Sequence, residues 1–198
     1  MPKVKYTPIT TTIEGAVADA YQELSDLRDE MNDWRDNLEE RLSHTDKYSR
    51  VSDAADALDQ IADDVPDVTS PIGDIAVTAN HGRKASTKSP YPRWLRRDNA
   101  VALLDAAMSA LEDHIATLDE RIDATDQFIE EFEEATAERT AEIAVALADY
   151  ELDEISQTVL EMLKDSLETE KSTAEELRDQ LDSDKAEAES VEFPGMYG

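Results

Sequence analysis

From Arg93 to Phe193 the chain contains neither proline nor glycine, a run of 101 residues. Proline removes a helical hydrogen bond and glycine weakens a helix, so a long stretch without either is open to continuous helix. The apolar residues in it recur in steps of three and four. Leu104, Met108, Leu111, Ile115, Leu118, Ile122, Ile129 and Phe132 form one seam, widened by Ala100, Leu103 and Ala107. Thr125, Thr136 and Arg139 weaken it, and Ile143, Leu147 and Tyr150 resume it. Asp149–Glu154 is the expected break. A second helix then carries Leu152, Ile155, Val159, Met162, Leu163, Leu167, Ala174, Leu177 and Leu181 to about Ser190. Pro90 or Pro92 suits the start of the first helix, since proline fits a first turn.

The N-terminal half divides around its prolines. Residues 1–10 hold Pro2 and Pro8 and read as an extended arm. Thr11 with Glu14 three residues on fits a capping box, and a helix follows to about Ser43. Its seam is Val17, Ala20, Leu24, Leu27, Met31, Trp34 and Leu38. His44-Thr45-Asp46 is a turn with Thr45 or Asp46 as the next cap. A helix over about 47–63 carries Tyr48, Val51, Ala55, Leu58 and Ile61. The short turn makes these two helices antiparallel neighbours. Pro66 and Pro71 then end the pattern. Asp74–Thr78 leans toward extended structure, but a lone strand needs a partner, so little sheet is expected; 79–92 reads as loop. The expected organisation is an arm (1–10), a helical hairpin (11–64), a basic linker rich in Pro and Gly (65–92), a long helical hairpin (93–190) and a C-terminal tag (191–198). The fold class is all-α, an elongated helical bundle of coiled-coil hairpins.

Charge narrows the setting. The chain has 48 acids against 19 bases, a net charge of −29, with Asp as common as Glu and few lysines. Self-repulsion of this size destabilises a compact state at low salt and is a device of halophiles, so an extreme halophile or a virus of one is the expected source. There is no cysteine, hence no disulfide framework and no thiolate metal site. The N-terminus lacks the apolar core of a signal peptide, and apolar runs such as Ile143–Ala148 fall far short of the ~20 residues that span a bilayer. A virion or the high-salt host cytoplasm is the expected location, with no membrane partner.

His44, His81 and His114 have no partners at metal-ligand spacing on a helix face. Glu40 and His44 are i,i+4, which reads as a solvated pair. No Glu-x-x-His motif, phosphate loop, nucleophile elbow or EF-hand pattern occurs. Glu130, Glu131, Glu133 and Glu134 read as a solvated helix face. No catalytic, metal or cofactor site is therefore assigned, and the expectation is a non-enzyme without cofactors.

One constellation stands out. Ile75–Arg97 contains no acid and six bases, Arg83, Lys84, Lys88, Arg93, Arg96 and Arg97, with Tyr91 and Trp94 among them. The flanks carry −11 (residues 1–74) and −23 (residues 98–190). Arginine with aromatic stacking is a recipe for single-stranded nucleic acid. The nearest acids, however, are the chain's own helices. Three readings stay open, in this order: a charge-matched joint binding those helices, a dock for a partner's acidic surface, and a nucleic-acid patch. Trp94 is a candidate interface anchor. Phe193, Met196 and Tyr197, behind a Pro-Gly turn, are a candidate docking tag or a tail folded back on its own bundle.

Three segments together carry a resemblance: LRDEMNDWRDNLEERL (27–42), SDAADALDQI followed by PDV (52–68), and IAVTANHGRKASTKSPYPRWLRRDNAVALLDAAMSAL (75–111). The chain resembles, over about residues 20–111, a group of uncharacterised small helical proteins encoded by tailed phages. The resemblance implies a viral gene product and assigns no residue a role. The helices here are more acidic, as a halophilic host would require.

The reading that joins these observations is a non-enzymatic structural or assembly component of a halophilic tailed virus. It would act through helix packing and terminal docking segments, in a homo-oligomer or with other virion proteins. The alternative is a regulatory binder, taking single-stranded nucleic acid at the basic joint or presenting its carboxylates as a DNA mimic to a host protein.

Overall fold

The computed structural model describes residues 5–62, 65–83, 92–132, 145 and 156–194. It is predominantly helical. Among the described residues the elements run β1 (Lys5–Thr12), α1 (Ile13–Leu42), α2 (Asp46–Ala62), a 3-10 turn (Ile72–Asp74), β2 (Ala76–Arg83), α3 (Arg93–Phe132) and α4 (Gln157–Ser190). The chain divides into two compact units, one formed by Met1–Leu111 with Leu177–Gly198 and the other by Glu112–Glu176.

In the first unit α1 begins where Thr12, in extended conformation, caps the helix by accepting from the Gly15 amide at 3.1 Å. The cap is one residue later than the capping box expected at Thr11. Thr45 caps α2, its hydroxyl accepting from the Tyr48 amide at 3.3 Å. α1 buries Ile13, Ala16, Val17, Ala20, Tyr21, Leu24, Leu27 and Met31, a stripe wider than a two-helix seam requires, so it meets more than one neighbour. α2 answers with Val51, Ala54, Ala55, Leu58 and Ile61. Small alanines let these two backbones approach closely. Arg35–Asp56 at 2.8 Å and Asn32–Asp59 at 3.3 Å mark the rim of the hairpin. Leu42 remains exposed past the end of the seam.

The extended arm and the β-leaning segment after Pro71 pair with each other, and this corrects the expectation of little sheet and of loop from residue 79. β1 and β2 form a two-stranded antiparallel sheet with Thr7 opposite His81, Ile9 opposite Ala79 and Thr11 opposite Val77. The physical reason is burial: Val77 and Ala79 alternate inward while Thr78 and Asn80 face out, so pairing closes an apolar face. The Ile13 amide donates to the Ile75 carbonyl at 2.9 Å and ties the sheet directly to the start of α1.

α3 enters this unit with Leu95, Ala100, Leu103, Leu104, Ala107 and Leu111 buried, and α4 contributes Leu177, Leu181 and Ala188. Tyr21, almost wholly buried, donates its hydroxyl to Asp184 and links α1 to α4.

In the second unit the two helices continue their own seam. Ile115, Leu118 and the buried Thr125 of α3 accompany Leu160, Leu167 and Ala174 of α4. Thr125 satisfies its hydroxyl by donating to the Arg121 carbonyl at 2.8 Å. Met162, expected inside, is 66% exposed, because the buried positions of α4 step by seven from Leu160 and leave 162 outside. Lys164 and Lys171 are seven apart, and their partners Asp126 (2.6 Å) and Asp119 (2.5 Å) are seven apart in the opposite sense. That is the charge pattern flanking an antiparallel helical seam. In the first unit Lys185 meets Asp105 at 2.6 Å. The expected break at Asp149–Glu154 and the question of helical continuity beyond Phe132 lie outside the described residues.

Candidate partner interface at the basic joint

The joint is assembled by α1 and the first turn of α3. Pro92 supplies that turn's first carbonyl, which accepts from both the Leu95 and Arg96 amides, at 2.9 and 3.1 Å. Three arginines follow at Arg93, Arg96 and Arg97, with no acid in the turn. Cations at a helix N-terminus oppose the helix dipole, by roughly 0.3–1 kcal/mol each when exposed. Carboxylates from α1 offset this. Glu23 and Glu30 are seven apart and Trp34 four further on, so all three share one face of α1.

Arg93 donates to Glu30 at 3.0 Å, and Arg96 donates to both Glu23 and Glu30. The side chain of Arg96 is only 16% exposed. Burial alone would raise the pKa of Glu30, but hydrogen bonds from Arg96 and Arg93, with their charges, outweigh it and hold the carboxyl below its ordinary value. Burial likewise works against the charge on Arg96, and the bonds to Glu23 and Glu30 reverse it, holding the guanidinium pKa above its ordinary range. The Arg93 guanidinium lies 4.9 Å from the Trp34 ring centre and the Lys47 ammonium 5.3 Å from it, both within cation–π range. Trp34, placed on the seam by its spacing, is therefore half-buried and roofed by cations.

Arg97 turns to a different task. It donates to the carbonyls of Val191 at 2.7 Å and Glu189 at 3.4 Å, and it pairs with Asp98 at 2.8 Å. The last carbonyls of a helix have no internal partner, so Arg97 caps the end of α4 from another helix. Behind it Val191 and Pro194 are buried and Phe193 is half-buried. The described part of the C-terminal tag thus folds back onto its own unit.

The structure brings together Arg93, Arg96 and Arg97 and places Phe193 in the same unit. It leaves Trp94 47% exposed while its neighbour Leu95 is fully buried. Arg83 ends β2. Lys84, Lys88, Met196 and Tyr197 lie outside the described residues, as does the Arg83 side chain. A cleft of about 240 Å³ opens between α1 and α3 beside Glu23, walled by Asp19, Asp26, Asn99 and Leu103. His114, unpaired in the sequence reading, meets Glu170 at 2.8 Å in the second unit. Among the described residues no cluster of three or more histidine, aspartate or glutamate side chains has the arrangement of a metal site, and no helix is long and apolar enough to cross a membrane.

Sequence reasoning did not find Glu23, Glu30 or Tyr21. The signal for the two glutamates was present as a seven-residue spacing that ends at Trp34. It became specific only once α3 was known to lie alongside. Comparison with protein-family models, with curated proteins and with solved structures finds no match to this chain.

Proposed function

We propose that this chain is a non-enzymatic structural or assembly component of a halophilic tailed virus, working through helix packing and its terminal segments in a complex of protein subunits. The observation that carries the reading is the destination of the arginines. Arg93 and Arg96 are engaged by α1 carboxylates and Arg97 by the end of α4, so half of the six cations of the joint organise the chain's own helices. The viral setting rests on the resemblance of residues 20–111, and the halophilic setting on the net charge of −29. The deciding experiment is proteomics of purified virions. The protein is expected among the virion components; strong early expression with absence from virions would remove the reading.

The regulatory alternative draws its support from Trp94, which stays half exposed at the start of α3 beside the arginines. It is tested by oligonucleotide binding in ~2–3 M KCl, where screening suppresses ordinary phosphate contacts. Affinity that persists there and disappears in R93A/W94A/R96A would favour it over assembly.

A further inference from the structure

The sheet has two outer edges, and they are not equivalent. The Ile13–Ile75 hydrogen bond continues the strand register, so odd-numbered residues of β1 and β2 form the hydrogen-bonded pairs. Two observations agree. Thr10 and Thr78 belong to the alternate, closer pairs, and their hydroxyls stand 3.3 Å apart. Pro8, which has no N–H, occupies an even position where the ladder needs none.

The even residues therefore aim their backbone groups away from the partner strand. On β1 that outer edge is interrupted by Pro8. On β2 it is continuous, formed by Ala76, Thr78, Asn80 and Gly82. No described hydrogen bond from outside the sheet reaches the backbone of Ala76, Thr78 or Asn80. The same three residues are exposed. An open strand edge is a template for another strand.

Charge identifies the occupant. β1 and β2 contain no acid at all, in a chain with 48. Almost any other approach between two copies sets carboxylates against carboxylates. A contact along β2 would instead bring together eight acid-free residues from each copy, backed by the eight of β1, and the chain's own strand is matched to this edge by composition. We propose that β2 pairs antiparallel with β2 of a second copy about a two-fold axis, giving a four-stranded sheet in the order β1-β2-β2-β1. Both β2 edges are consumed in that contact and both outer β1 edges carry Pro8, so association through the sheet stops at two. The inference rests on the assembly reading and names the surface that assembly uses.

The absence of cysteine makes the test clean. In an antiparallel two-fold pairing Thr78 lies opposite or diagonal to its mate, roughly 5–8 Å away. Thr78→Cys is therefore expected to give a covalent dimer with a short bismaleimide in ~2–3 M KCl, conditions that screen the net charge. Thr78→Pro removes an outward N–H that the β1–β2 ladder does not use, and should weaken dimerisation in sedimentation at least roughly 30-fold with helical circular dichroism retained. The cysteine variant keeps the backbone intact and carries the test if the proline variant does not fold. A dimer that Thr78→Cys fails to capture overturns the β2 contact and leaves assembly standing. A monomer at every concentration, or capture only of a different protein, overturns the proposal as well, while presence in virions still decides the assembly reading separately.

Discussion

Removing Arg96 is expected to loosen the first unit by an amount the geometry bounds. Exposed ion pairs contribute about 0.2–1 kcal/mol, and breaking one partner of a buried pair costs about 3–5 kcal/mol. Arg96, at 16% exposure against 33% for Glu23 and 41% for Glu30, falls between these limits. Glu30 keeps Arg93 when Arg96 is lost. Glu23 keeps no cation among the described residues. Arg96→Ala is therefore expected to cost about 2–3 kcal/mol, part of it from lost packing of the aliphatic stem. A double-mutant cycle of Arg96→Ala with Glu23→Ala should give a coupling of about 1–1.5 kcal/mol. Arg35 with Asp56, whose carboxylate is 62% exposed, serves as the control and should stay below about 0.5 kcal/mol. The assay is urea unfolding at one fixed KCl concentration, since guanidinium is itself a salt and would change the screening of the pair through the titration. Tryptophan fluorescence follows the first unit alone, because Trp34 and Trp94 are the only tryptophans and both belong to it. Coupling below about 0.3 kcal/mol, or no greater than in the Arg35 control, would refute the argument that the joint is held by this network.

Three further outcomes follow from the same structure. The carboxyl of Glu30 titrates below its ordinary value, so its stabilisation is complete above the unfolded-state value and lost as pH falls through the folded one; Glu30→Gln should flatten that acid limb in a fluorescence-monitored pH titration. Hydrogen bonds that Lys164, Lys171 and Lys185 donate to Asp126, Asp119 and Asp105 raise the lysine pKa values, so their contribution is present below the free lysine value of about 10.4 and lost as pH rises through the raised ones. The triple variant K164M/K171M/K185M should lose that alkaline dependence in circular dichroism. At Gly15 a Cβ would meet the Thr11 hydroxyl inside contact distance. Gly15→Ala should therefore forgo the usual gain of about 1 kcal/mol in melting experiments, and Gly15→Ala with Thr11→Ala should recover it.

The helices were legible because their signals are local. Thr45, the Pro92 start and the Ser190 end could be read from neighbours within a turn or two. The seam of α1 was legible for the same reason. The sheet was not, because Lys5–Thr12 and Ala76–Arg83 are separated by two helices, and neither strand alone buries enough to declare itself. Its period-2 alternation at Val77 and Ala79 covers too few residues to stand above a loop. The candidate site was half legible. An acid-free basic stretch in an acidic chain is visible to any count, and its pairing with the chain's own helices was the first of the readings it allowed. Which acids answer it depends on how α1 and α3 face each other, and that orientation is a tertiary fact. The lysines of α4 were the missed opportunity: their seven-residue spacing was in plain sight, and only the matching aspartates on α3 turn it into a register.

The capping of α4 by Arg97 has a consequence for synthesis. The first unit needs residues from both ends of its sequence: Val191 completes what Ile13 begins. At about 5–20 residues per second on a ribosome, the segment after Leu111 takes several seconds to emerge before Leu177 appears. During that interval the α1–α2 hairpin and the sheet exist without the helix end that Tyr21 and Arg97 await. Glu112–Glu176, by contrast, is one contiguous stretch of the chain. The first unit therefore waits for its last segment, and Arg97 is the residue that receives the end of α4 when it arrives.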